Sequence, residues 1–260
     1  MSARAAPIGL SVDRVRIGLF ALFGLGFLAL AVPAFAEPMT FWTGIVFGDY
    51  AYPSHEVHHF VLGGLFSVLL LGVLAQAIRP RNRVGALHTA IIIWASLTVV
   101  FTAGGEFSPI QLVLFGLLAG MAATHPAGRE QLPSPSDLDR AMAVVAAMTA
   151  LAVLAFAFGE LSAHRTATDD HVVFGHYTFM ATAGVSVAAL GLYASFRGTG
   201  WRFPVYAAAV CIAIVGLGSI AYPGVEQGSS LGVGLGAATT LWAIVFVAVA
   251  EREALGFRGP

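Results

Sequence analysis

Histidine is concentrated at two places in the chain, each at the head of an apolar run. The first reads His55-Glu56-Val57-His58-His59-Phe60, followed by uncharged residues to Ile78 and then Arg79. The second reads Asp170-His171-Val172-Val173-Phe174-Gly175-His176-Tyr177, followed by uncharged residues to Phe196 and then Arg197. Imidazole at the end of a membrane helix costs desolvation, so it tends to be kept for ligation, proton transfer or a charge partner. His55 and His59 share one helical face, while His58 is turned about 100° from its neighbour. Glu56, three residues before His59, is placed to accept its Nδ1–H or to handle protons beside it. On one helix His171 and His176 would diverge by about 140°, which favours His176 in the helix and His171 in the loop before it.

Imidazole suits haem iron, copper and zinc. Zinc wants a tight set of three or four ligands, to which His55, His59 and Glu56 can contribute, although no HExxH or similar spacing is present. Haem needs one or two axial histidines, and His59 and His176 lie deepest in their clusters. The plain alternative is that these side chains cap helices and bond headgroups at the interface. Gly63 and Gly64, one turn below His59, leave room either for a flat macrocycle or for close helix packing. His88 and His125 are expected at the opposite interface.

The elements that position these residues are membrane helices. Of 260 residues, 58% are hydrophobic and 10% charged, against about 25% charged in a soluble domain, and mean hydropathy is +0.83. No basic patch points to nucleic acid. The chain has no lysine, which excludes a retinal Schiff base, and one cysteine, Cys211, expected to pack as a small hydrophobe. Apolar segments cover Val15–Ala36, Val57–Ile78, Ala86–Ala103, Pro109–Thr124, Ala141–Phe158, Val172–Phe196, Phe203–Tyr222 and Leu231–Ala250. Eight crossings follow, the fourth short enough to need tilt or thinning.

With that count, every arginine except Arg165 falls on one side of the bilayer, which predicts a plasma-membrane protein with both termini cytoplasmic. The carboxylates Glu37, Asp49, Glu56, Glu106, Glu160, Asp169, Asp170 and Glu226 fall on the other side, with six of the eight histidines. Ala34-Phe35-Ala36 before Glu37 has the form of a signal-peptide cleavage site. Its echo, Ala152-Val-Leu-Ala-Phe-Ala, near the end of segment 5 favours a retained first helix. Aligning His59 with His176 brings Arg79 within one residue of Arg197 and Glu106 opposite Glu226. The chain therefore reads as an all-α protein of two tandem four-helix bundles, 1–125 and 126–260, as parallel repeats.

This order of parts resembles the heme A synthase family. The residues that carry the likeness are Glu56-x-x-His59, the turn Arg79-Pro-Arg-Asn-Arg83, Gly104-Gly105-Glu106, and His176 at the repeat position. The resemblance implies heme b ligated by His59 and His176, with His55 and His171 in the cofactor site and Glu56 as the catalytic carboxylate. In that family the corresponding glutamate is implicated in oxidising a methyl group of heme O. It implies a membrane oxidoreductase whose partners are the bilayer, haem and respiratory-chain assembly proteins. The chain departs from the pattern at Phe60, where arginine is usual, at Gln111, where histidine is expected, and at Ser229-Ser230-Leu231, which holds no histidine. It therefore reads as a divergent or degenerate member. The competing reading is a multi-pass assembly factor, transporter or complex subunit with no cofactor.

Overall fold

The computed structural model describes residues 12–252, apart from 49, 51 and 53. Arg4 and Arg258, used above to orient the chain, lie outside the described residues. Nine α-helices and five 3-10 helices, joined by turns and irregular segments, are found among the described residues, and no strand. The helices are α1 (Val12–Phe47), α2 (Glu56–Leu74), α3 (Val84–Gly104), α4 (Pro109–Thr124), α5 (Arg140–Thr166), α6 (Asp170–Val173), α7 (His176–Ala194), α8 (Arg202–Ala221) and α9 (Gly232–Ala250).

Seven of these are long and apolar enough to cross a membrane, and α4 is a shorter apolar helix. At 16 residues, α4 reaches about 24 Å. Gln111 in its first turn gives its carbonyl to Trp94 Nε1 (2.8 Å), halfway along α3. α1 exceeds the apolar segment that predicts it, running on through Pro33 to Phe47. Membrane helices tolerate proline because neighbouring groups satisfy the backbone that it frees.

Polar side chains in the apolar helices follow the same rule. Ser67, Thr89, Thr98, Thr149, Thr182, Ser219 and Thr240 each donate to the carbonyl four residues earlier, so a hydroxyl in an apolar setting is satisfied within its own helix. α3 stops at Gly105, whose φ of +87° permits the left-handed cap. Glu106 N then donates to Phe101 O (2.8 Å), closing a Schellman turn.

The helices form two shells. In the most apolar window, α2 and α3 are each 61% buried and α7 is 72%, whereas α1 and α5 are 28% and α9 is 22%. The inner four are thus α2, α3, α7 and α8, with α3 against α7 and α2 against α8. The expected boundary at 125/126 falls in the loop between α4 and α5, and one core crosses it. Leu65, Leu69, Leu87 and Ile93 pack with Met180, Leu190 and Phe246. Lipid tails are as apolar as leucine, so close backbone approach at small residues replaces the hydrophobic drive between helices. A Cβ on Gly72 would meet Ala86 O, one on Gly184 would meet Val153 O, and Gly216 and Gly236 face each other.

The end of the bundle opposite the histidine cluster carries Arg197 and Arg252. Asp139 caps α5 by accepting from Met142 N (3.1 Å). It also accepts from Arg197 and from both terminal nitrogens of Arg252. Three elements are thereby tied to one buried carboxylate. Burial by itself would raise the Asp139 pKa, but the hydrogen bonds from Arg252, Met142 and Arg197 outweigh it and hold the value at about 2.

His125, just past the end of α4, faces the protein interior rather than solvent. It is fully buried, edge-on to Phe20, and its carbonyl accepts from Arg16 Nη2 (2.6 Å). Burial, then His88 and Arg16, lower its pKa to about 4.

Because folding lowers the Asp139 pKa from 3.8, its contribution is complete above about pH 4 and is lost as the pH falls through about 2. Asp139→Ala is expected to cost about 2–3 kcal/mol, read as a lower melting temperature in detergent at neutral pH. A variant that melts with the wild type would contradict the clamp.

Candidate metal centre

The two histidine groups, more than a hundred residues apart in the chain, meet. α2 begins directly after His55, whose carbonyl accepts from His59 N (3.1 Å). The expected single helix over 172–196 is interrupted instead. His171 sits in the one-turn helix α6, Gly175 turns the backbone with φ +64°, and His176 opens α7. This break removes the divergence that a continuous helix would impose, and the His171 and His176 rings stand 5.7 Å apart. His171 is thus helical, in a turn of its own, where a loop was expected.

His55, His58, His59, His171 and His176 are all buried, none more than 8% exposed. The His55 ring is 4.5 Å from His171 and 4.7 Å from His176. His58 is 4.8 Å from each of the same two. His59 is 5.0 Å from His176 and 6.2 Å from His55. His55, His171 and His176 offer ligand atoms that lie within 4.8 Å of one another. No other group of three or more metal-ligating side chains is that compact among the described residues.

Hydrogen bonds fix how these rings are held. His55 Nε2 bonds Asp170 Oδ2 (3.1 Å), and His55 Nδ1 is 2.9 Å from His176 Nδ1. His171 Nε2 donates to the Ser54 carbonyl (2.9 Å). Its Nδ1 is buried without a hydrogen-bond partner, the Asp169 and Asp170 carboxylates standing off at 3.6 Å. His58 Nε2 meets Ser229 Oγ (2.8 Å), while its Nδ1 is likewise buried and unpartnered. His59 Nδ1 is bonded to the Tyr50 hydroxyl. Asp170 is 61% exposed and marks the solvent side of the cluster. Its carboxyl is held below the usual range, first by the bond from His55.

Glu56, the expected catalytic carboxylate, braces the loops around the site. Its Oε2 accepts from Ser54 N (2.8 Å) and Gln227 Nε2 (2.6 Å), and Gln227 Oε1 in turn accepts from Val57 N (3.2 Å). Ser229, conspicuous in the sequence only for not being histidine, bonds His58 on one side and Glu160 Oε2 on the other (2.6 Å). His164 stays apart, 3.9 Å from Glu106.

A porphyrin does not fit the axial pair that the resemblance implies. The His59 and His176 rings touch edge to face at 5.0 Å with His55 beside both, which leaves no gap for a macrocycle between them. The small-residue floor is filled as well, since a Cβ on Gly64 would run into Ile214 of α8. A single ion among imidazoles suits the donor set better, because it needs only nitrogen lone pairs.

Gly175 sets the geometry of the second histidine group. A side chain there would adopt the left-handed conformation, and its Cβ would come to 3.1 Å from Glu106 Oε1 and 3.2 Å from Thr178 Oγ1. Gly175→Ala is expected to destabilise the protein by about 1–2 kcal/mol; an unchanged thermal melt would show that the break tolerates an ordinary residue. No family model matches this chain, and neither does any curated protein or solved structure.

Proposed function

We propose that this is a multi-pass membrane protein that binds a transition-metal ion in a buried imidazole centre formed by His55, His171 and His176. The observation that carries the proposal is the closeness of three buried imidazoles whose ligand atoms lie within 4.8 Å of one another. In an apolar bundle, neutral imidazoles gathered at this density repel through their lone pairs unless a proton or a cation stands between them. An all-imidazole donor set suits copper(II) or zinc. Asp170 braces His55 from outside, as carboxylates commonly brace metal-bound histidine. Its exposure gives a cation a polar point of entry.

The finer architecture belongs to the same proposal. α4 makes the eighth crossing, and the chain is a duplicated four-helix unit. Two similarities support duplication. α2 and α7 both start in a histidine group, and the chain leaves each through an arginine in the left-handed conformation, Arg79 at φ +53° and Arg197 at φ +52°.

Protein purified from membranes without chelator is expected to bind about one equivalent of Cu²⁺ or Zn²⁺. His55→Ala and His176→Ala should each weaken binding at least about ten-fold. Protein that takes up neither ion would end the proposal. A b-type haem spectrum lost in His59→Ala and His176→Ala would replace it with the haem reading.

A further inference from the structure

We infer that His58 is the fourth ligand of this centre, aimed by a Ser229–Glu160 pair that acts as a positioning device. The inference rests on the metal reading above. His171 and His176 stand between His55 on one side and His58 on the other, and the four ring separations around this figure are 4.5, 4.7, 4.8 and 4.8 Å. With metal–nitrogen bonds of about 2.0–2.1 Å, imidazole centres lie roughly 3 Å from the ion, and neighbours in a four-nitrogen site lie roughly 4.5–5 Å apart. All four sides match that spacing, and across the figure the His171 and His176 rings stand 5.7 Å apart.

Hydrogen bonding supplies the second argument. A serine has one hydroxyl hydrogen, and Ser229 directs it to the Glu160 carboxylate at 2.6 Å. Ser229 Oγ must then accept from His58, which puts the proton of the neutral ring on Nε2 and leaves Nδ1 a bare lone pair. That atom is buried in a residue 1% exposed and has no hydrogen-bond partner. An unmatched buried acceptor is costly to leave in place, and a cation beside the His171–His176 pair would use it. The distal nitrogens of three rings are thus held by a carboxylate (His55 to Asp170), a backbone carbonyl (His171 to Ser54) and a serine backed by a carboxylate (His58 to Ser229). This pattern orients ligating histidines and fixes their tautomers. Four neutral imidazoles carry no charge, and the exposed Asp170 stands behind one of them as a counter-charge to a divalent cation.

Counting nitrogens on bound copper tests this directly. Wild-type protein loaded with one equivalent of Cu²⁺ should show four imidazole nitrogens by electron spin-echo and X-ray absorption spectroscopy. His58→Ala should show three and bind about ten- to a hundred-fold more weakly. Ser229→Ala and Glu160→Gln should keep the count while shifting the copper spectrum and weakening binding about ten-fold, and His164→Ala should match the wild type. Should His58→Ala not fold, the wild-type count decides alone, and three nitrogens overturn the inference. Copper binding by His58→Ala with unchanged affinity and spectrum also overturns it, leaving the three-histidine centre intact. No copper binding by the wild type removes the centre itself.

Discussion

Imidazole rings from two distant stretches of chain are packed against one another at the end of an apolar bundle, and most of the local structure follows from satisfying them. Rings buried in such a place cannot turn to water, so their outward nitrogens need partners supplied by the protein. The partners come from every side: Asp170 and Ser54 from neighbouring loops, Ser229 from the approach to α9, Tyr50 from the segment that follows α1. The break at Gly175 and the brace of Glu56 and Gln227 exist within the same constraint, since each fixes where a histidine-bearing backbone enters its helix.

The opposite end is organised by charge. Asp139 gathers Arg197 and Arg252 while capping α5, so the loop between α4 and α5, the end of α7 and the end of α9 share one anchor. Between the two ends the helices are held by close approach at small residues, by a main apolar core and by a small second cluster around Val100, Ala157 and Ala181. His58, His59 and His176 lie on α2 and α7, two of the most buried helices of the fold, with His55 and His171 just before them.

Much of this was legible in the sequence. Uncharged runs marked the apolar helices, and the histidine groups marked the end where the site forms. What escaped depended on contacts between remote residues. His58 reads as turned away from His59, yet α2 is buried around most of its circumference, so a side chain on either face meets the rest of the protein. Ser229 and Glu160 carry no local signal, because their role arises only when the start of α9 and the upper part of α5 come together. The extension of α1 past Ala36 was hidden by Pro33 and Glu37, which resemble a helix end in an aqueous setting. Haem ligation followed from the depth of His59 and His176 along their own helices; depth along one helix does not reveal that the two rings touch.

The central claim is that a single cation sits among imidazoles from both halves of the chain. Anomalous scattering at the copper or zinc edge, from crystals of protein loaded with that ion, locates it directly. The account predicts one peak within bonding distance of His55, His171 and His176. Porphyrin density, a peak elsewhere, or no peak at this cluster in fully loaded protein would contradict it.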